Sequence, residues 1–130
     1  MKKLSNAALL LAAAALSACG GSTFELFPDY KDNSAPTVTA SIANFTSFRN
    51  NTTHVSALPA AVTFTADEAA TIYYTTNGAN PTTASPSVTA SKNTPISGPS
   101  ITITSTILKF FGVDTLSNAS SIQRNTIVSP

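Results

Sequence analysis

The sequence predicts an all-β chain, a β-sandwich of about seven short strands after a cleaved signal peptide. Three observations predict it. After Pro36, apolar and hydroxyl-bearing residues alternate in short runs, turn-forming residues separate those runs, and no stretch there shows helical apolar spacing with caps.

The first element is the targeting segment, residues 1–18. Lys2 and Lys3 precede an apolar stretch, Ala7 to Leu16, and small residues close it, the arrangement of a secretory signal. As a helix this stretch reaches roughly 15 Å, about half of a hydrocarbon core, and Gly20-Gly21-Ser22 interrupts it. It is too short to span a membrane. Residues 19–35 read as a tether. Gly20-Gly21-Ser22-Thr23 is flexible, Asp32-Asn33-Ser34-Ala35-Pro36 is turn-forming, and the apolar Phe24–Tyr30 between them packs on the domain, sits near lipid headgroups or docks a partner.

The sandwich occupies 36–130. Thr37–Ile42 alternates as a half-buried strand should. Ala43–Leu58 is a long polar loop containing Phe45, Phe48 and Val55, with room for one short strand. Ala61–Ala66 alternates again, and Thr71–Thr76 is β-branched and aromatic, which suits a pleated surface. Asn77–Pro81 is a turn in which Gly78 suits positive φ. Ser100–Thr104, Ile107–Asp114 and Ser121–Val128 complete the set. Thr71–Thr76 and Ile107–Asp114 are expected side by side at the centre. Lys109 resists unpaired burial, so Leu108 and Phe110 face the core, Phe111 and Val113 face outward, and Gly112 leaves room for a bulky neighbour. Ile72 and Tyr74 share one face of their strand and Tyr73 and Thr75 the other; alternation leaves both assignments open.

The 130 residues hold a single cysteine, Cys19, so packing alone must stabilise the domain. Residues 19–130 carry five basic and six acidic side chains. Without a basic patch, nucleic acid is not an expected partner. No cofactor or metal is expected. Asp67 and Glu68 point to opposite sides if extended, so they make no catalytic pair, and Asp114 serves to fix a turn rather than to bind Ca²⁺. His54 reads as a solvated loop histidine with no catalytic setting.

Two resemblances add to this reading. Leu16-Ser17-Ala18-Cys19 resembles the lipobox of bacterial lipoproteins, which implies acylation of Cys19 and a lipid anchor in the cell envelope. Gly20, in place of a retaining Asp, implies the outer membrane in a Gram-negative cell. Phe64–Thr82, with Tyr73-Tyr74-Thr75-Thr76-Asn77-Gly78 and Pro81-Thr82, resembles the chitobiase/β-hexosaminidase C-terminal-like domain, as do Leu108–Asp114 and Leu116–Ser120. The similarity covers Ala35 to Val128. The chain departs from the family at Asn77, where Asp is usual, and at Ser117, where Gly is. This resemblance implies an immunoglobulin-like, non-catalytic sandwich, and no site residues carry over from it.

The function expected is therefore a non-catalytic envelope lipoprotein, a binding or display module associated with carbohydrate, or alternatively a structural spacer or protein-interaction module. Its partners are the membrane, through the lipid, and a glycan or an envelope protein. The candidate ligand face is Phe111 with Tyr73 or Tyr74, ringed by Thr75, Asn77 and Asn80. The competing arrangement is an aromatic pair covered by the tether or a loop, and the absence of Trp favours it.

Overall fold

A computed structural model describes residues 32–43 and 48–130. The expected signal peptide, Cys19, the Phe24–Tyr30 segment and Phe45 lie outside the described residues. Eight strands follow in order: β1 (Val38–Ser41), β2 (Thr52–Val55), β3 (Ala60–Ala66), β4 (Ala70–Thr75), β5 (Ser87–Ala90), β6 (Ile96–Ile101), β7 (Thr106–Asp114) and β8 (Gln123–Val128). They form a three-stranded sheet, β1-β3-β6, and a five-stranded sheet, β2-β8-β7-β4-β5. Every pairing is antiparallel except β2 with β8.

Period-two patterning builds the core. β3 buries Ala60, Val62, Phe64 and Ala66 and turns the residues between them outward. β1 contributes Val38 and Ala40, β4 Ala70 and Ile72, β7 Leu108 and Phe110, and β8 Ile127. Phe64 sits at the centre, its ring 5.1 Å from Phe110 and 5.8 Å from Tyr74. The expected pairing of the two central strands is present, with Tyr73 opposite Phe111 and Thr75 opposite Lys109. Leu108 and Phe110 face inward as the Lys109 argument requires. Gly112 admits Val38 and Pro36 from across the sandwich.

Two readings of the sequence are corrected. His54 is not a solvated loop residue: it lies in β2, 8 % exposed, stacked on Phe48 at 4.0 Å, with Nε2 2.7 Å from the Thr52 hydroxyl. Pairing of β2 with β8 turns it inward beside Ile127. The strand expected at 100–104 runs from Ile96 to Ile101 instead, because β6 is a sheet edge, where Gly98 and Pro99 are tolerated. Ser87–Ala90 forms a further short edge strand that the sequence reading did not place, and the sandwich has the architecture expected.

Asn125 is fully buried on the inner face of β8. Its amide donates to the Arg49 carbonyl at 2.6 Å and to the Thr52 hydroxyl at 3.2 Å, which ties the loop before β2 to the sheet. Ser117 has φ +70°, a left-handed conformation that glycine adopts freely and that costs other residues about 1 kcal/mol.

Candidate functional site

The outer face of the five-stranded sheet gathers most of the candidate side chains. Alternation on β4 sends Tyr73 and Thr75 outward and Ile72 inward, with Ile72 fully buried. Tyr74 is therefore removed from the candidate face: it shares the side of Ile72 and packs on the core beside Phe64. Register then fixes the neighbours. Across the face run the rows Ser87–Tyr73–Phe111 and Thr75–Lys109–Arg124, with Thr89–Thr71–Val113 on one side of them.

Phe111 faces outward, but it is only 9 % exposed, and its ring stacks on Tyr73 at 5.4 Å and 25°. The two rings form a cross-strand aromatic pair, with Tyr73 its more accessible member. The turn after β4 adds polar groups. Asn77 Oδ1 accepts the Ala79 N–H at 3.1 Å, so that side chain closes its own turn. The Thr75 hydroxyl donates to the Ala79 carbonyl. Gly78, at φ +81°, donates its N–H to the Ile107 carbonyl at 3.2 Å and holds the turn against β7. Asn80 Oδ1 accepts from Lys109 Nζ at 2.8 Å. The structure thus stacks Tyr73 on Phe111, pairs Asn80 with Lys109 on the same face, and commits Asn77 to the turn. Lys109 and Arg124 were absent from the expected ligand face. Lys109 could have been added from its two-residue spacing to Phe111, whereas Arg124 needed the β7–β8 register.

The opposite end of β4 and β7 is acidic. Oxygens of Asp32, Glu68 and Asp114 lie within 4.8 Å of one another. Asp114 does fix its turn: one oxygen accepts from the Leu116 and Asn118 N–H groups at 2.8 Å each, and the other accepts from Asn118 Nδ2 at 2.7 Å. Burial pulls its pKa upward, but hydrogen bonds from Asn118, Leu116 and Ser117 outweigh that and hold it below the ordinary 3.8. Partial burial, then repulsion from Asp32, Asp114 and Asp67, raises Glu68 above its ordinary 4.5. Asp67 accepts the Thr37 N–H at 2.8 Å. A depression of about 100 Å³ beside Asp114 is lined by small residues, among them Ala69, Ala70 and Thr89. It is smaller than the roughly 300 Å³ at which ligand pockets begin.

These shifts set a pH dependence. Stability from Glu68 is fully present below its unfolded value and is lost as pH rises through its raised native value. Stability from Asp114 is present above its unfolded value and is lost as pH falls through its lowered native value. The thermal midpoint is expected to rise as pH is brought from about 7 to about 4.5, then to fall below about pH 4. Glu68→Gln should flatten the first limb. Melting curves across that range check it, and an unchanged first limb in Glu68→Gln would refute a raised Glu68 as its source.

An eight-stranded, two-sheet, all-β sandwich without a helix among the described residues is consistent with the immunoglobulin-like class. Within it, the family model for the chitobiase/beta-hexosaminidase C-terminal domain matches residues 50–124, more than half of the chain, and the chain belongs to that family. In that family the C-terminal domain is a non-catalytic, carbohydrate-associated, immunoglobulin-like module. Neither a search of curated proteins nor one of solved structures finds a match.

Proposed function

We propose that this chain is a non-catalytic module of the bacterial cell envelope, held there by lipid on Cys19, which binds or displays glycan on the outer face of its five-stranded sheet. One observation carries the binding reading: Tyr73, Lys109 and Asn80 converge on a face that is otherwise hydroxyl-rich, beside the aromatic pair. A pyranose ring presents apolar C–H groups to an aromatic face and hydroxyls to neighbouring polar side chains. The lipobox-like Leu16-Ser17-Ala18-Cys19 supports the anchor, since two or more acyl chains give stable membrane attachment.

Glycan-array binding by the full chain in detergent tests the first part. Tyr73→Ala should weaken binding by about tenfold, as loss of a central aromatic contact does, while the melting midpoint reports whether the fold survives. Mass spectrometry of the native protein tests the second: residues 1–18 retained, or Cys19 unmodified, would refute the anchor. The spacer or protein-docking reading draws support from the burial of Phe111, which leaves little flat aromatic surface. No binding on the array by the folded chain would favour it, whereas array binding that Tyr73→Ala leaves unchanged would move the glycan off this face.

A further inference from the structure

The near-neutral charge of the folded unit conceals a separation of sign. Residues 32–130 carry four acidic and four basic side chains. Asp32, Glu68 and Asp114 cluster at one end, and Asp67 and Lys92 act on Glu68 there. The other three cations lie towards the opposite end. Lys109 and Arg124 are directly opposite each other on β7 and β8. Arg49 immediately precedes Asn50 and Asn51, which hydrogen-bond the Arg124 backbone on both sides. Along β7, Lys109 and Asp114 are five residues apart, about 17 Å at about 3.4 Å per residue. That exceeds the screening length of about 8 Å at physiological ionic strength, so the acidic end does not neutralise the cations.

Like charges directly opposite in a sheet are destabilising, and Lys109 and Arg124 accept that cost on the same face as Tyr73. Asn80 engages Lys109 through one oxygen, leaving further ammonium protons to donate. Arg124 is exposed and offers a planar fork suited to a carboxylate or phosphate. The row of Lys109 and Arg124 is two residues along β7 from the Tyr73–Phe111 row, a spacing of about 7 Å. A sugar ring at Tyr73 therefore places an acidic substituent, or that of the next residue, within reach of the two cations.

Resting on the glycan-binding reading, we infer that the glycan is anionic: a polysaccharide bearing carboxylate or phosphate groups, its rings at Tyr73 and its charges at Lys109 and Arg124. The test uses the full chain in detergent with three polymers: polygalacturonate for carboxylate, phosphomannan for phosphate, and neutral mannan. Binding is expected to one or both acidic polymers and at least about tenfold more weakly to mannan, as loss of charged hydrogen bonds implies. Lys109→Gln and Arg124→Gln should each weaken acidic-polymer binding by about tenfold, and added salt should weaken it further. Lys92→Gln, at the other end, should leave it unchanged. Melting midpoints establish that the variants are folded. Equal binding to mannan, insensitive to both Gln variants but lost in Tyr73→Ala, would overturn the inference and leave the glycan reading standing. Binding to none of the three polymers would overturn both. Tighter capture by anionic than by neutral phospholipid vesicles, lost in Lys109→Gln and Arg124→Gln and with neither acidic polymer bound, would overturn it in favour of a lipid surface.

Discussion

Phe64→Ala is expected to destabilise the domain by about 3–5 kcal/mol. Phe64 is fully buried in β3, the middle strand of the smaller sheet. It spans the interior to Phe110 and Tyr74 on the other sheet, at 5.1 and 5.8 Å between ring centres. On its own sheet the ring lies over Gly98, where an added Cβ would come within 2.5 Å of Phe64 Cε2. Truncation removes the apolar transfer free energy of the ring and opens a void that glycine cannot fill. Sheet-to-sheet spacing is fixed by the surrounding pairs, so the void cannot collapse, which puts the cost towards the upper end of the range. A domain of this size has about 5–15 kcal/mol in total, so the variant should sit near its unfolding threshold. Urea denaturation followed by circular dichroism measures it. A fall in midpoint with unchanged slope is expected; a loss below about 1.5 kcal/mol would mean that the ring does not bridge the sheets.

The residues that made the architecture legible are those whose burial partner is implied by their own strand. Alternation in Ala61–Ala66 placed β3, and the position of Lys109 was enough to orient β7, because a lysine on the wrong face would bury an unpaired charge. Tyr74 was not legible in this way. Tyr tolerates either side of a sheet, since its body is apolar and its tip polar, and the choice was made by Ile72 packing into the core. His54 escaped for a different reason. Its strand is short, its neighbours Thr52 and Thr53 are polar, and its burial comes from β8, some seventy residues later in register with it. Asn125 is the same case from the other side: its partners, Arg49 and Thr52, are non-local. At the candidate face, Tyr73, Asn80 and Phe111 were legible from turn and strand composition. The adjacency of Lys109 and Arg124 exists only through β7–β8 register, and with it the charge separation.

Gly112→Ala is expected to cost about 1–3 kcal/mol, the usual penalty of overpacking, although alanine normally improves a strand interior by roughly 0.5–1 kcal/mol over glycine. The sign turns on what the new methyl meets. A Cβ at Gly112 would lie 2.5 Å from Val38 Cγ2 and 3.2 Å from Pro36 Cγ, both on the facing side of the sandwich. Val38 is fully buried, and Pro36 is a ring with little freedom to turn aside. The glycine backbone cannot retreat either. Its N–H donates to Ser120 Oγ and its carbonyl accepts the Ser120 N–H, each at 2.9 Å, while on the other edge β7 is paired with β4 at Ile72. Relief must therefore come from Val38. Combining Gly112→Ala with Val38→Ala should cost less than the sum of the two single changes, a coupling on the order of 1 kcal/mol between groups in contact. Strict additivity in a denaturation cycle, or a Gly112→Ala variant as stable as the parent, would show that the two sheets can part at this point and that glycine is not there to let them meet.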